Sequence, residues 1–464
     1  MTTLEQREEL RWKLKPFPEL VRLAWPIAVS MLSYSVMTLV DTLFAGRLGA
    51  TSLGAVGFGG IVTFTLLCFA IGLLQGAKVL VAQAVGAGRR DKIAGHIGSA
   101  LVAALSLGAL VAIVGQLVAL ALPALASGSA SVRLAQRYVS IRVLGAPVIL
   151  VAFAIREIRC ALGDSRSPMR TALIANALHI PLNATLIFGA GLGVRGAAIS
   201  TVLAQTLEAT LLIVVQRSDG LGLRAFTRRD VEDLWQTGWP LGLERLFNVG
   251  AFSALVTLLA RVGDADLAAH QIAHQLNLFA LLPMIAIAEA SAVLTGQAVG
   301  ANEDQLVLRI AKVATKAGAA YGALCALVYV TLGPAIAGAL TSDPGVRRIA
   351  VHLLWIAAAW QAFDAAYLVA AAVLRGAGDV RFATLSMVTI AWVVAPPLAV
   401  LLAQSLGLGA VGGWLALLAE WAAGAVVLWA RVLRRGWHGA AIRSRARLAA
   451  AEPAMLVGTE AAQM

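Results

Sequence analysis

IAGHIGSALVAALSLGALVAIVGQLVALALPALASGSASV, residues 93–132, runs for 40 positions without an Asp, Glu, Lys or Arg. A helix crosses the hydrocarbon layer of a bilayer in about 20 residues. The stretch therefore holds a span with a projecting end, or a span and its loop. Its Leu, Ala, Val and Gly do not alternate with polar residues as barrel strands do, so in lipid its backbone groups must pair within a helix. Five further uncharged runs lie at 48–77, 171–194, 267–288, 317–342 and 382–419.

The whole chain agrees. Of 464 residues 59% are apolar and 13% charged, about half the ~25% charge of a soluble domain. That excludes a water-soluble globular protein, and the apolar content excludes a disordered one. Cys68, Cys160 and Cys325 sit in apolar stretches without CxxC spacing, so neither a disulfide nor a metal framework is expected.

Breaking the runs at Gly, Pro, Asp and Arg punctuation predicts an all-α polytopic membrane protein of twelve spans. They fall at 19–43, 52–84, 93–122, 131–160, 168–190, 195–216, 231–261, 266–298, 304–340, 346–374, 381–404 and 409–432. Residues 1–18 read as a cytoplasmic lead-in without the features of a signal peptide. An N-terminal lobe follows at 19–216, a cytoplasmic linker at 217–230 and a C-terminal lobe at 231–436. The tail, 437–464, reads as a disordered, solvated extension. With the N-terminus inside, 26 Lys and Arg collect on the cytoplasmic side and 8 outside. The positive-inside rule then puts both termini in the cytoplasm, at a bacterial-type inner membrane. Topology and anionic lipid account for the +12 net charge. No nucleic-acid partner is expected, because no basic stripe alternates with aromatics in a soluble segment.

Sliding the second half onto the first by 214 residues aligns Pro26 with Pro240, Arg47 with Arg261 and Gly49 with Gly263. VLVAQAVGA (79–87) meets VLTGQAVGA (293–301), identical at seven of nine positions. One more residue of offset brings Leu162-Gly163-Asp164 beside Ala377-Gly378-Asp379. Six spans were duplicated. An even number of helices per copy leaves both copies in the same orientation, related by a pseudo-twofold along the membrane normal. Two such bundles around a cavity are the architecture of a transporter.

These segments resemble the multidrug and toxic compound extrusion (MATE) family, within the multidrug/oligosaccharidyl-lipid/polysaccharide flippase superfamily. The likeness covers roughly residues 19–436. It rests on WPIAVSMLSYSVMTLVDTLFAGRLG (25–49), AQAVGAGRR (82–90), LGDSRSP (162–168) and LIFGAGLGVRGAAIST (186–201). It continues in GWPLGLERLFNVGAF (238–252), LAAHQIA (267–273), GQAVGA (296–301) and DAAYLVAAAVLRGAGDVR (364–381). The resemblance implies two six-helix lobes around a cleft. It also implies export of small organic, often cationic or amphiphilic compounds against Na⁺ or H⁺, with no other cofactor and a monomeric transporter.

An ionisable residue mid-span costs about 2.5–3.5 kcal/mol on insertion scales and is kept for a purpose. Asp41 ends an 18-residue uncharged run; the resemblance makes it a cation or proton site, while an interfacial Asp near Arg47 is the plainer reading. Asn176, His179 and Asn183 share one face of the fifth span, and Thr201 joins them by resemblance. Related proteins often hold an acid where this chain has Asn183, which can bond Asp41 but cannot titrate. His179 is either a substrate-facing group or a core histidine. Asp364, with 15 uncharged residues before it and 10 after, is the strongest candidate, and a salt bridge to a neighbouring helix is its alternative. Asn248 stands where one branch of the family has a second acid. Glu244, one turn earlier, either substitutes for it or is neutralised by Arg245.

Tyr367 and Gln271 complete the candidates for substrate contact, with helix packing as the other reading of each. Lys78 and Glu289 stand at equivalent depths in the second and eighth spans. They either pair across the cleft as a gate or bond within their lobes, Lys78 to Asp41 and Glu289 to Asp364. If they form the gate, exchanging the two charges should restore function lost in either single variant. Gly46, Gly49, Gly54, Gly57, Gly59 and Gly60 read as close-packing and hinge positions. His270 and His274 have metal-like i, i+4 spacing without an accompanying HExxH acid, so no metal is expected. A lipid-linked oligosaccharide flippase is the competing function. A polytopic enzyme would need a catalytic cluster, and a channel a repeated filter; neither is present.

Overall fold

The computed structural model describes residues 15–125 and 129–450. Residues 1–14 of the expected lead-in and 451–464 of the expected tail lie outside them. Among the described residues, eleven helices and one bent pair are long and apolar enough to cross a bilayer. The first lobe contains α1 (Pro16–Arg47), α2 (Ala50–Gly86), α3 (Arg90–Leu125), α4 (Ala130–Leu144), α5 (Ala146–Ala161), α6 (Arg166–Ala184) and α7 (Val194–Arg217). The second contains α8 (Arg228–Val262), α9 (Asp264–Gly300), α10 (Asp304–Leu340), α11 (Pro344–Gly376), α12 (Val380–Val393), α13 (Ala395–Ala399) and α14 (Gly409–Leu433). At 1.5 Å per residue the 37 residues of α2 extend about 55 Å, well past the ~30 Å hydrocarbon layer.

The duplication is visible in detail. The helices α2 and α9 have equal length and the same 214-residue displacement as their sequences. A π-helical turn at Thr185–Gly189 continues α6, and its counterpart at Val400–Ser405 follows α13. The break in the fourth span is not duplicated. The expected single span at 131–160 is two helices, α4 and α5, bent by 52° at Gly145. Pro147 in the first turn of α5 has no N–H to continue the ladder, and its Cα packs where a Cβ on Gly108 would sit. Its partner α11 runs unbroken through the corresponding point and carries Asp364 one turn beyond it.

The lobes meet in one half of the molecule. We call the end where α2 and α9 finish the base and the opposite end the mouth. In the base half, a Cβ on Gly72 would fall 2.4 Å from the Leu241 carbonyl oxygen, and one on Gly86 would fall 2.0 Å from that of Gln297. A Cβ on Gly300 would likewise lie 2.0 Å from the Gln83 carbonyl oxygen. Small residues let these helices approach at backbone distance. The glycines expected to pack closely lie in the mouth half, and most do not: a Cβ on Gly46, Gly49, Gly57 or Gly60 would meet open space. Of that set Gly59 packs tightly, against Tyr138, and Gly54 touches Ser131. The repeat kept its interlobe glycines further along the same helix.

The tail expected to be disordered is instead helical through residue 449. Helix α15 (His438–Ala449) buries Ala440, Ala441, Ser444 and Leu448 against the base. Arg445 and His438 bind Asp304 at 2.7 and 3.0 Å. Arg89 of the first lobe donates to the Leu448 carbonyl at 2.6 Å. Alternating small apolar and basic residues give this short segment a face that packs and a face that stays wet.

Candidate functional site

In the first lobe, the three-and-four spacing on α6 brings Asn176, His179 and Asn183 onto the face turned to α1 and α7. Asn183 donates from Nδ2 to Asp41 Oδ1 at 2.6 Å and accepts from Ser200 Oγ at 2.9 Å. His179 Nε2 lies 3.3 Å from the same Asp41 oxygen and within 3.5 Å of the Ser200 and Thr201 hydroxyls. Thr201 donates to Ala197 O at 2.8 Å. Asn176 stands apart, donating to Ser33 Oγ at 2.5 Å. His179, Asn183, Thr201 and Asp41 are all buried. Asp41 is therefore held inside the lobe by an amide and an imidazole, not at an interface with Arg47.

The second lobe is different. Asp364 on α11 is 1% exposed, and neither carboxylate oxygen has a partner at ordinary hydrogen-bond geometry among the described residues; the Trp360 indole N–H is the donor that faces it, in looser contact. No salt bridge from the described residues reaches it. Around it Gln361 donates to Asn277 Oδ1 at 3.3 Å. Tyr321 and Tyr329, on α10, donate to the carbonyls of Ala280 and Leu276 at 3.0 and 3.2 Å. A buried carboxylate with so little hydrogen bonding is costly while it is charged.

Between the lobes in the base half, Lys78 Nζ lies 2.6 Å from Glu157 Oε2 and also binds Glu289. Glu157 belongs to α5 of its own lobe and Glu289 to α9 of the other. Of the expected arrangements the interlobe pair is present, together with an intralobe acid that the sequence reading did not consider. Neither Lys78 with Asp41 nor Glu289 with Asp364 forms. The second acid also changes the charge-exchange expectation: a Glu at position 78 would face Glu157.

Other candidates land elsewhere. Glu244 is bound by Arg375 of α11 and accepts from Thr384 at 3.0 Å, so it is neither free nor neutralised by Arg245. Asn248 and Gln271 are exposed. Tyr367 is buried inside its lobe, its ring 4.6 Å from that of Trp421 and against Gly424, a packing position. His270 accepts from the Trp414 indole N–H at 3.0 Å on Nδ1 and stacks on His274; no metal-binding group occurs among the described residues.

Sequence reasoning missed Glu157, Glu208, Glu420 and Arg375. Glu208 receives the Tyr34 hydroxyl, with the Arg156 guanidinium 5.2 Å from the Tyr34 ring. Glu420 is buried on α14. The lone-acid rule that found Asp41 and Asp364 would have found both. At the turn between α5 and α6, outside the spans, Asp164 binds Arg159 and accepts from the Ser167 amide at 3.1 Å. Burial pushes its pKa up, but these hydrogen bonds outweigh it and hold the carboxyl below the usual range.

Comparison with known proteins matches this architecture. The family model described as MatE covers residues 26–185 and 240–401, two stretches that open at Pro26 and its repeat partner Pro240. A probable multidrug resistance protein NorM of Acinetobacter baylyi is 29% identical over 437 residues, covering 91% of this chain and 96% of its own. Its namesake from Aromatoleum aromaticum is 31% identical over 371 residues, covering 76% and 79%. Among solved structures, the outward-facing conformation of a multidrug resistance MATE family transporter superposes with a TM-score of 0.84 at 21% identity, covering 94% of this chain and 97% of that one. A MOP superfamily transporter from Pyrococcus furiosus superposes equally well, covering 93% and 96%. With two thirds of its length inside the family model and the twelve-span, two-lobed fold, the chain belongs to the MATE family of membrane transporters.

Proposed function

We propose that this protein is a secondary active multidrug efflux transporter that exchanges a small organic cation or amphiphile for Na⁺ or H⁺. The observation that carries this is Asp364: a buried carboxylate with no charged partner among the described residues and only the loosely placed Trp360 indole as donor. It needs a proton, a metal cation or an organic cation, and binding one ligand excludes another. Asp41, already bonded by Asn183 and His179, is the second coupling carboxylate in the reading.

The orientation in this reading puts the base in the cytoplasm of a bacterial-type inner membrane, following the basic residues of α15 and the base turns. The lobes, joined at the base, then open outward, and rocking about that contact gives alternating access. The transporter works as a monomer with the bilayer as its surroundings. A lipid-linked oligosaccharide flippase would need basic groups free to meet phosphate. Lys78 and Arg375 are instead bound by carboxylates.

Proteoliposomes loaded with ethidium or norfloxacin, under an imposed pH gradient and separately a Na⁺ gradient, test the reading. Export driven by one gradient is the expected result and names the ion. Export driven by neither overturns it.

A further inference from the structure

Lys78 divides its charge between two lobes. Its ammonium has three donors; one goes to Glu157 beside it on α5, another to Glu289 on α9. Glu289 is the most open of the three, its side chain 19% exposed against 7% for Lys78 and 12% for Glu157. Arg245 and Arg375 act on Glu289 from further away. Neither comes within ion-pairing distance, and Arg375 is already bound to Glu244.

From this asymmetry we propose that Glu289 is the loading residue for monovalent organic cations on the base side, with Lys78 as a tethered cation that fills the site while the lobes are closed there. The inference rests on the transporter reading above and adds a site to it. When the base opens, α2 and α9 part. Lys78 keeps Glu157, so it stays neutralised in both states. Glu289 loses its partner and faces the widening cleft. A half-buried carboxylate stripped of its ion pair is destabilising, so the base-open state is favoured only when a cation replaces the ammonium. Cargo thereby selects the open state through its own charge, as differential binding requires. A second consequence follows for the charge exchange. Lys78→Glu with Glu289→Lys would set two acids together on the first lobe and a base at the loading position, so the pair would close but repel cationic cargo.

Ethidium serves as the probe, with the intact protein in detergent and in proteoliposomes. Cys160, buried on α5 beside the Ala161 carbonyl that Gln297 binds, reports base opening through maleimide labelling once Cys68 and the partly exposed Cys325 are replaced by alanine in every protein compared. Saturating ethidium should speed labelling of the wild type at least fivefold and leave Glu289→Gln unchanged. Lys78→Met should bind ethidium about tenfold more tightly than wild type, and the Lys78→Met/Glu289→Gln double variant should lose that gain. The exchanged variant should stay folded, show slow labelling and fail to export ethidium. Equal ethidium-driven labelling in wild type and Glu289→Gln overturns the loading role while the transporter reading stands. So does export by the exchanged variant at the wild-type rate. A wild type that exports no ethidium under either gradient removes the transporter reading and this site with it.

Discussion

Gln83 and Gln297 make the same hydrogen bond in opposite directions. Gln83 donates from α2 to the Gly376 carbonyl at the end of α11, at 3.0 Å; Gln297 donates from α9 to the Ala161 carbonyl at the end of α5, at 3.1 Å. Donors and acceptors exchange under the internal repeat. Both bonds cross between lobes, and both acceptors are last-turn carbonyls with no partner further along their helices. The motif shared by 79–87 and 293–301 thus encodes a reciprocal clasp at the base, with Gly86 and Gly300 removing the side chains that would hold the backbones apart.

Replacing both glutamines by alanine should release that clasp. Each bond contributes about 0.5–1.5 kcal/mol, and the pair together is enough to move a two-state equilibrium by roughly five- to hundredfold. Gln83→Ala/Gln297→Ala is expected to fold normally and to label at Cys160 at least about fivefold faster than wild type, each single variant falling between. Unchanged labelling in the double variant would mean that the glutamines do not hold the base shut.

Acid should weaken the turn before α6. The Asp164 pKa is held below the carboxylate range, chiefly because its hydrogen bonds from Ser167 and Arg159 outweigh burial. A depressed pKa contributes stability that is complete above the unfolded value near 4 and lost as pH falls through the lower folded one. The unfolding temperature of wild type should therefore drop more steeply than that of Asp164→Asn as pH falls below about 4. Asp164→Asn should also be the less stable of the two at pH 7. Parallel curves would remove this turn from the acid response.

Much of this was legible in the sequence, and the rest had identifiable reasons to be hidden. Twelve spans followed from apolar length together with the Gly, Pro, Asp and Arg punctuation that divides it, because lipid leaves the backbone few options. The cluster of Asp41, His179 and Asn183 followed from helical spacing and resemblance. The break at Gly145 did not, since a Gly-Ala-Pro sequence inside an apolar run fits a kink and a continuous span equally well. The partners of Lys78 were half found: the repeat pointed across the lobes to Glu289, but Glu157 lies on a helix with no repeat relation to Lys78. Glu244 was misjudged for the same reason, because pairing with the adjacent Arg245 was local and pairing with Arg375 was set by packing. Side-chain partners between helices depend on rotation about each axis, which composition does not specify.

Asn183 should matter to transport more than its uncharged side chain suggests. It supplies the hydrogen bond to Asp41 and accepts one from Ser200. Hydrogen bonds to charged groups contribute about 1.5–3 kcal/mol. Asn183→Leu is expected to reduce ethidium export about tenfold or more while the protein elutes as wild type in size exclusion. Asn176→Leu, which removes only a contact to Ser33, should stay within about twofold by the same reckoning. Equal losses in the two would place the effect in packing of α6 and not at Asp41.

Asp364 and Asp41 should then respond to amide substitution in opposite ways. Asp41→Asn breaks an existing arrangement, since His179 and Asn183 are both built against its carboxylate. Asp364→Asn gives up little, because no charged group and only the loosely placed Trp360 indole meets the carboxylate. An amide is also far less costly to bury unpaired than a charge. Asp364→Asn is therefore expected to unfold at the wild-type temperature or a few degrees above it, and Asp41→Asn several degrees below, read by intrinsic tryptophan fluorescence on heating. Coupled export should fall to background in Asp364→Asn despite that stability. A variant that is both more stable and inactive is the signature of a carboxylate kept for its ligand. Export at the wild-type rate by Asp364→Asn would strike it from the site.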